Sequence, residues 1–370
     1  MIQTIFQLLA FICISALAFQ YFYMLYFFTG FPKRMPVENA FNLPKISLVV
    51  CARNELENLR KFLPHWLSQE YPHFQVVVVN DRSWDASEDY LDSMAQRHSN
   101  LKVVNLRDAD NFWIGKKFAL TIGIKAAEHP HLILTDADCM PSSDQWLKQM
   151  AVGFNSAEIV LGYGGYERKG KVGSLVVFET ISSALHWISW AARKKTYMGV
   201  GRNLAYKKEM FLNDKGFSTH MHIPSGDDDL FIGSVAKKNN VSLRILPEAF
   251  TWSSPPLTFR KWIQQRSRHL TTAKLYKPLP KFLLGGWSFT SLLLYLILPF
   301  MAFQWKQWPI LAISFGLRWL IYWIFLLIAG IRLKQWKPIL FLPIYEPFII
   351  ISQAFMHLSN ARSKRSHQRW

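Results

Sequence analysis

The residues best equipped for chemistry are carboxylates. Ser225-Gly226-Asp227-Asp228-Asp229-Leu230 sets three acids side by side before an apolar helix start. Acids at a helix N-terminus are favoured by the helix dipole, so capping accounts for part of this block. Three exceed what capping needs, and their mutual repulsion raises at least one pKa, which suits a general base. A second group, Asp136-Ala137-Asp138, follows Leu132-Ile133-Leu134-Thr135. Alternation along an extended segment sends Asp136 and Asp138 to one side. Paired carboxylates there suit a hard divalent cation that also binds diphosphate oxygens.

Basic residues supply the complement. Gln264-Gln265-Arg266-Ser267-Arg268-His269 lies on a basic amphipathic stretch that includes Trp262. Arg266 or Arg268 can grip a diphosphate bidentately; the same pattern fits an interfacial helix with snorkelling arginines. Gly115-Lys116-Lys117 opens a predicted helix, where amides and Lys116 can meet phosphate. A plain surface lysine pair fits those residues equally. Gly199-Val200-Gly201-Arg202-Asn203 reads as a close-approach loop bordering a cleft, and His220 and His222 read as loop residues rather than metal ligands.

Strands and helices must position these groups. Short apolar runs at 46–51, 76–79, 101–106 and 131–134 have the character of buried strands. Helical patterns fall between them at 55–69, 86–96 and 117–127; in the first, Leu56, Leu59, Leu63, Trp66 and Leu67 share a face. The alternation predicts an α/β domain, a Rossmann-like and mostly parallel sheet with helices on both faces. Ligands in such sheets bind beyond the carboxyl ends of the strands. Arg53-Asn54-Glu55, Asn80-Asp81-Arg82-Ser83-Trp84-Asp85 and Asp136-Ala137-Asp138 all fall there. Neither a G-x-G-x-x-G nor a G-x-x-x-x-G-K-[ST] fingerprint occurs, which argues against a dehydrogenase or a P-loop enzyme.

The flanks differ from this domain. The 370 residues carry a net charge of +18 and are half hydrophobic, with the apolar content concentrated at the two ends. Residues 1–30 predict a transmembrane helix, and Lys33 and Arg34 after it predict a cytoplasmic C-terminal flank. Further spans are predicted near 283–303 and 308–330. A run at 338–357, interrupted by Pro343, Glu346 and Pro347, reads as a re-entrant or interfacial hairpin or a third crossing. The organisation predicted is an anchor at 1–30, a linker at 31–44, a catalytic domain at 45–257 and an interfacial segment at 258–282. Transmembrane or re-entrant segments at 283–358 and a basic tail at 359–370 complete it. Basic clusters beside apolar runs point to lipid headgroups, and no motif for nucleic acid is present. Three cysteines, Cys13, Cys51 and Cys139, show neither disulfide nor metal-ligand spacing.

In this order the motifs resemble those of the inverting glycosyltransferases of family 2, which have the GT-A fold. The likeness runs from about Lys45 to Lys274. Asp227-Asp228-Asp229-Leu230 and Gln265-Arg266-Ser267-Arg268-His269 look like the T-E-D and Q-x-x-R-W motifs of membrane-embedded members such as cellulose and hyaluronan synthases. The resemblance implies donor binding by Asn54, Glu55 and Asp81, the latter two at the base and ribose, with Lys116 and Asp136 near the diphosphate. It implies Mg2+ or Mn2+ on Asp138 with Asp136, a general base at Asp227 or, one register on, Asp228, and an acceptor and diphosphate border at Gln265, Arg268 and His269. Gly226 replaces the usual Glu and His269 the usual Trp, which weakens an acceptor-sugar platform. Transfer of one or a few sugars to a lipid, lipid-linked or glycan acceptor is therefore expected, at the cytoplasmic face of a bacterial plasma (inner) membrane, with UDP-sugars the favoured donors. The alternatives are a polyprenyl-phosphate sugar synthase, a processive polysaccharide synthase and a catalytically dead scaffold.

Overall fold

The computed structural model describes residues 2–35, 43–107, 115–223, 225–302 and 308–362. Part of the expected 31–44 linker and most of the 359–370 tail lie outside the described residues. A long apolar helix, α1 (Ile2–Phe27), precedes the α/β domain. There β1 (Ile46–Ala52), α2 (Leu56–Leu67), β2 (Phe74–Asp81), α3 (Ser87–Arg97), β3 (Leu101–Leu106), α4 (Lys116–Ala126) and β4 (His131–Asp136) alternate as the sequence pattern predicts. Next come β5 (Cys139–Pro141), α5 (Trp146–Val152), β6 (Ile159–Gly162), β7 (Gly164–Tyr166), α6 (Gly173–Ala192), β8 (Leu204–Lys207) and α7 (Lys208–Asn213). Then α8 (Asp229–Val235), β9 (Val241–Arg244) and β10 (Thr251–Ser253) close the domain. The C-terminal part is helical: α9 (Phe259–Ala273), α10 (Pro278–Ala302), α11 (Trp308–Arg332) and α12 (Leu342–Arg362).

Seven strands form one sheet in the order β3-β2-β1-β4-β8-β6-β9. All neighbours are parallel except at β8, which runs against β4 and β6. Every residue of β1 is buried, because the strand lies mid-sheet with both faces covered. Its neighbour β2 shows the period-two division: Val77 and Val79 join the core beneath α4 and α6, while Val76 and Val78 join the core beneath α2 and α5. At Gly123 an added Cβ would come within 2.8 Å of Val49 and Val79, so α4 sits against the sheet only because that position lacks a side chain. A smaller sheet, β5-β10-β7, lies alongside.

Five helices are long and apolar enough to cross a membrane: α1, α6, α10, α11 and α12 with its preceding turn. They are not alike, since α6 is 78% covered by protein and the others only 17–39%. No span was expected at 173–192 from the sequence. The expected hairpin at 338–357 is also absent, for α12 runs unbroken through Pro347. Pro343 falls in its first turn, where the missing N–H is not needed. Glu346 is neutralised by Arg318 of α11 at 2.6 Å, and neither side chain is more than 5% exposed. The loop before α12 touches the α/β domain: Gln335 donates to the Tyr166 carbonyl (2.6 Å) and accepts from the Tyr163 hydroxyl (2.9 Å). From there α12 lies along α9, with Phe348 against Phe259 and Trp262.

Candidate active site

A cleft of about 580 Å³ opens at the carboxyl ends of β1 and β4. The chain leaves the large sheet after Asp136 and joins the small sheet at Cys139. Asp136 and Asp138 therefore sit on the seam between the sheets, and both line the cleft. Opposite them, Lys116 occupies the first position of α4, after Gly115 with its φ of +130°. Its Nζ lies 2.7 Å from Asp136 Oδ1 and 2.9 Å from Asp227 Oδ2, tying two distant acidic motifs through one cation.

The three adjacent acids divide the work. Burial would raise the Asp227 carboxyl, but Lys116 outweighs it and holds the group below the usual range. Burial, then the charges of Asp227 and Asp229, push Asp228 up to about 7. Asp228 is occupied: its two oxygens accept from the Gly201 and Asp229 amides, each at 2.7 Å. Asp229 accepts from the Leu230 amide (2.7 Å), the Thr272 hydroxyl (2.5 Å) and the Tyr276 hydroxyl (2.8 Å), which fastens the acid loop to α9. Gly226 has a φ of +98°, and an added Cβ would meet Leu230 at 2.6 Å, so the usual Glu does not fit here. His220 braces the loop from within, its Nε2 lying 2.9 Å from the Gly226 carbonyl, while Lys117 donates to the His220 and Ile223 carbonyls at 2.6 and 3.0 Å.

Asp136, Asp138 and Cys139 have ligand atoms within 4.8 Å of one another. Burial, then Asp136, push the Asp138 carboxyl up to about 6, with Arg202 working in the opposite direction. Burial pushes the Cys139 thiol well up, and its sulfur is 3.0 Å from the Ser253 hydroxyl. Of these three groups, the two carboxylates are what suits a hard cation.

Asn54 and Glu55 line the cleft at the end of β1. Asn54 adopts φ +56°; its amide donates to Ser83 Oγ and its Oδ1 accepts from the Trp84 amide, both at 2.9 Å, lacing the β1 and β2 ends together. Asp85 accepts from the Leu56 and Ser87 amides at 3.1 Å, a capping role at two helices. Asp81 ends β2 on the same edge but does not line the cleft: it is fully buried and paired with Arg82 at 2.6 Å.

On the opposite wall Gln265, Arg268 and the exposed His269 face the cleft from α9. The buried Arg268 Nε has no hydrogen-bond partner among the described residues. Arg266 is engaged instead by Glu179 of α6 (2.5 Å), which also accepts from the Trp262 indole at 2.8 Å. Gln265 donates to the Tyr166 hydroxyl (2.7 Å), and the Arg202 guanidinium lies 3.8 Å from the Tyr166 ring centre. Sequence reasoning missed Tyr166 and Glu179 and saw Arg202 only as part of a loop. A lone carboxylate in the apolar run 173–192 was the available signal for Glu179.

A mostly parallel sheet with one reversed strand, acids across its carboxyl edge and a basic helix opposite define a GT-A glycosyltransferase domain. The chain belongs to the family described as glycosyltransferase like family 2, whose model matches residues 44–272. It is similar to the "Probable glycosyltransferase YdaM" of Bacillus subtilis, 25% identical over 248 residues, which is 62% of this chain and 56% of that one. It is also similar to the beta-monoglucosyldiacylglycerol synthase of Nostoc sp., 29% identical over 118 residues, covering 31% of this chain and 25% of that one. The chain spans about half the length, or less, of the curated relatives it matches. Among solved structures, the mannosyltransferase PcManGT from Pyrobaculum calidifontis, in complex with GDP-Man and Mn2+, superposes with a TM-score of 0.58 at 17% identity. That match covers 89% of this chain and 99% of that one, and it shows the shared fold.

Proposed function

We propose that this glycosyltransferase transfers a sugar with inversion from a nucleotide-sugar to a lipid, lipid-linked or glycan acceptor, at the cytoplasmic face of a bacterial plasma membrane. The observation that carries the reading is the bridge from Lys116 to both Asp136 and Asp227 within one cleft. Asp136 and Asp138 would hold Mg2+ or Mn2+, which when bound neutralises charge on the departing nucleoside diphosphate. Lys116 and the unpartnered Arg268 Nε supply further positive charge to that group. Asn54 and Glu55 meet the nucleoside, and Asp81 supports that wall from behind. Gln265 and His269 border the acceptor.

Asp227 is the general base, since Asp228 and Asp229 are spent on backbone and α9. Its carboxylate takes the acceptor hydroxyl proton while the acceptor oxygen attacks the anomeric carbon and the bond to diphosphate breaks on the far side. A general base of this kind is worth about 10²–10⁴ in rate. Sugar transfer by the purified protein, with a panel of UDP- and GDP-sugars and Mn2+, tests the assignment. Asp227→Asn and Asp138→Ala should each lose about two orders of magnitude or more. Full activity in both variants would falsify it, and loss in Asp138→Ala alone would favour a phosphate acceptor that needs no base.

A further inference from the structure

The covered helix α6 carries one carboxylate, Glu179, which is 7% exposed and lines the cleft. A carboxylate so placed must be paired. Both of its oxygens go to α9. Oε1 lies 2.5 Å from Arg266 Nε, and Oε2 accepts from the Trp262 indole N–H at 2.8 Å. Trp262 and Arg266 are four apart in α9, so they lie one above the other on a single face. We propose that Glu179 is a positioning residue for the donor diphosphate: by gripping that face of α9 it leaves Arg268 turned into the cleft. The inference rests on the sugar-transfer reading above.

Helix geometry argues first. A carboxylate that holds two successive turns of one face fixes both the roll and the height of a helix, which a single contact does not. Gln265 and Arg268, three apart, share a different face, and there Gln265 donates to the Tyr166 hydroxyl at 2.7 Å. Further along α9, Thr272 donates to Asp229 at 2.5 Å. The stretch with Arg268 and His269 is thus held between two carboxylates from separate parts of the chain. Charge argues next. Arg266 is neutralised by Glu179, and in turn it cancels the negative charge that Glu179 would otherwise turn on a diphosphate. Arg268 lines the same cleft; among the described residues it pairs with no carboxylate, and its Nε has no hydrogen-bond partner. Glu179 therefore makes two arginines of one motif unequal, the first committed to holding the helix and the second open to phosphate oxygens.

Nucleotide binding by the full chain in detergent tests this, with UDP, GDP and the corresponding monophosphates as probes in the presence of Mn2+. The monophosphates lack the second phosphate, which lies away from the nucleoside wall and toward α9. Glu179→Ala should weaken diphosphate binding about tenfold or more, the scale of a lost hydrogen bond to a charged group, and leave monophosphate binding within about twofold. Retained monophosphate binding also reports a folded site. Glu179→Gln, whose amide oxygen still accepts from Trp262, should lose less than Glu179→Ala. Arg268→Met should reproduce the Glu179→Ala pattern. Adding Glu179→Ala to Arg268→Met should cost no more than about twofold further, because Glu179 acts through Arg268. Donor KM in sugar transfer should rise in step with the loss of diphosphate binding. Equal losses for mono- and diphosphate would make Glu179 a purely structural residue and overturn the proposal. Undiminished diphosphate binding in Glu179→Ala, or losses that add in full in the double variant, overturn it too. Failure of the wild type to bind either diphosphate would instead sink the sugar-transfer reading, and this role with it.

Discussion

At the scale of single residues, the central feature is one cation shared by two carboxylates. Lys116 satisfies Asp136 and Asp227 together, so its loss strips the counter-charge from both. For Asp227 the opposing influence is burial, which raises its pKa once Lys116 is gone. A base held below the ordinary carboxylate range of about 3.9 is ionised at pH 5 and above, so at saturating metal Asp227 itself adds no acid limb there. In Lys116→Met the acid limb should move upward by about one pH unit or more, alongside weaker donor binding. A pH profile of kcat at saturating donor checks it; an acid limb unmoved by the substitution would show that Lys116 does not set the base. The acid types and their spacing were legible from sequence. The division of labour among Asp227, Asp228 and Asp229 was not, because Thr272 and Tyr276, more than forty positions away, decide it.

At the scale of elements, the legible part is the run from β1 to β4, where strands buried on both faces and amphipathic helices alternate with clear periods. Beyond Cys139 the signal fades. The strands there are three or four residues long, and their partners are distant in sequence, as with β10 between β5 and β7. The helix α6 is largely covered by protein, and its polar residues Glu179, Ser182, Ser183 and His186 share an inward face, so no solvent-facing stripe marks it. Arg318 is a single charge within an apolar run, yet it organises that region. It donates to Gln20 of α1 (2.5 Å), to Glu346 of α12 (2.6 and 2.8 Å) and more weakly to Ser291 of α10 (3.4 Å). Removing one member of a buried pair leaves the other uncompensated at a cost of about 3–5 kcal/mol, whereas removing both is far milder. Arg318→Leu and Glu346→Leu should each lower the unfolding temperature in detergent sharply, and the double variant should recover most of the loss. A double variant as unstable as the sum of the singles would mean the pair is not the unit of stability.

At the scale of the whole molecule, the arrangement of the catalytic domain against its apolar helices bears on sidedness. Read by hydropathy alone, 338–357 conflicts with its flanks: Arg332, Lys334 and Lys337 precede it, Arg362 follows it, and a single crossing would separate them. Contacts between this segment and the catalytic domain bear on that conflict. Gln335 is bonded to Tyr163 and Tyr166 of the catalytic domain, and Phe348 packs on Trp262 of α9. If α12 lies along the domain in this way rather than crossing, both of its flanks stay on the side of the catalytic domain. Thiol labelling can decide this directly, since Cys13, Cys51 and Cys139 are all buried and leave a quiet background. With a membrane-impermeant maleimide on oriented vesicles, Lys334→Cys and His357→Cys should label from the side that labels Lys215→Cys in the catalytic domain. Ile310→Cys, 68% exposed at the far end of α11, should label only from the opposite side. Labelling of His357→Cys together with Ile310→Cys would make α12 a true crossing.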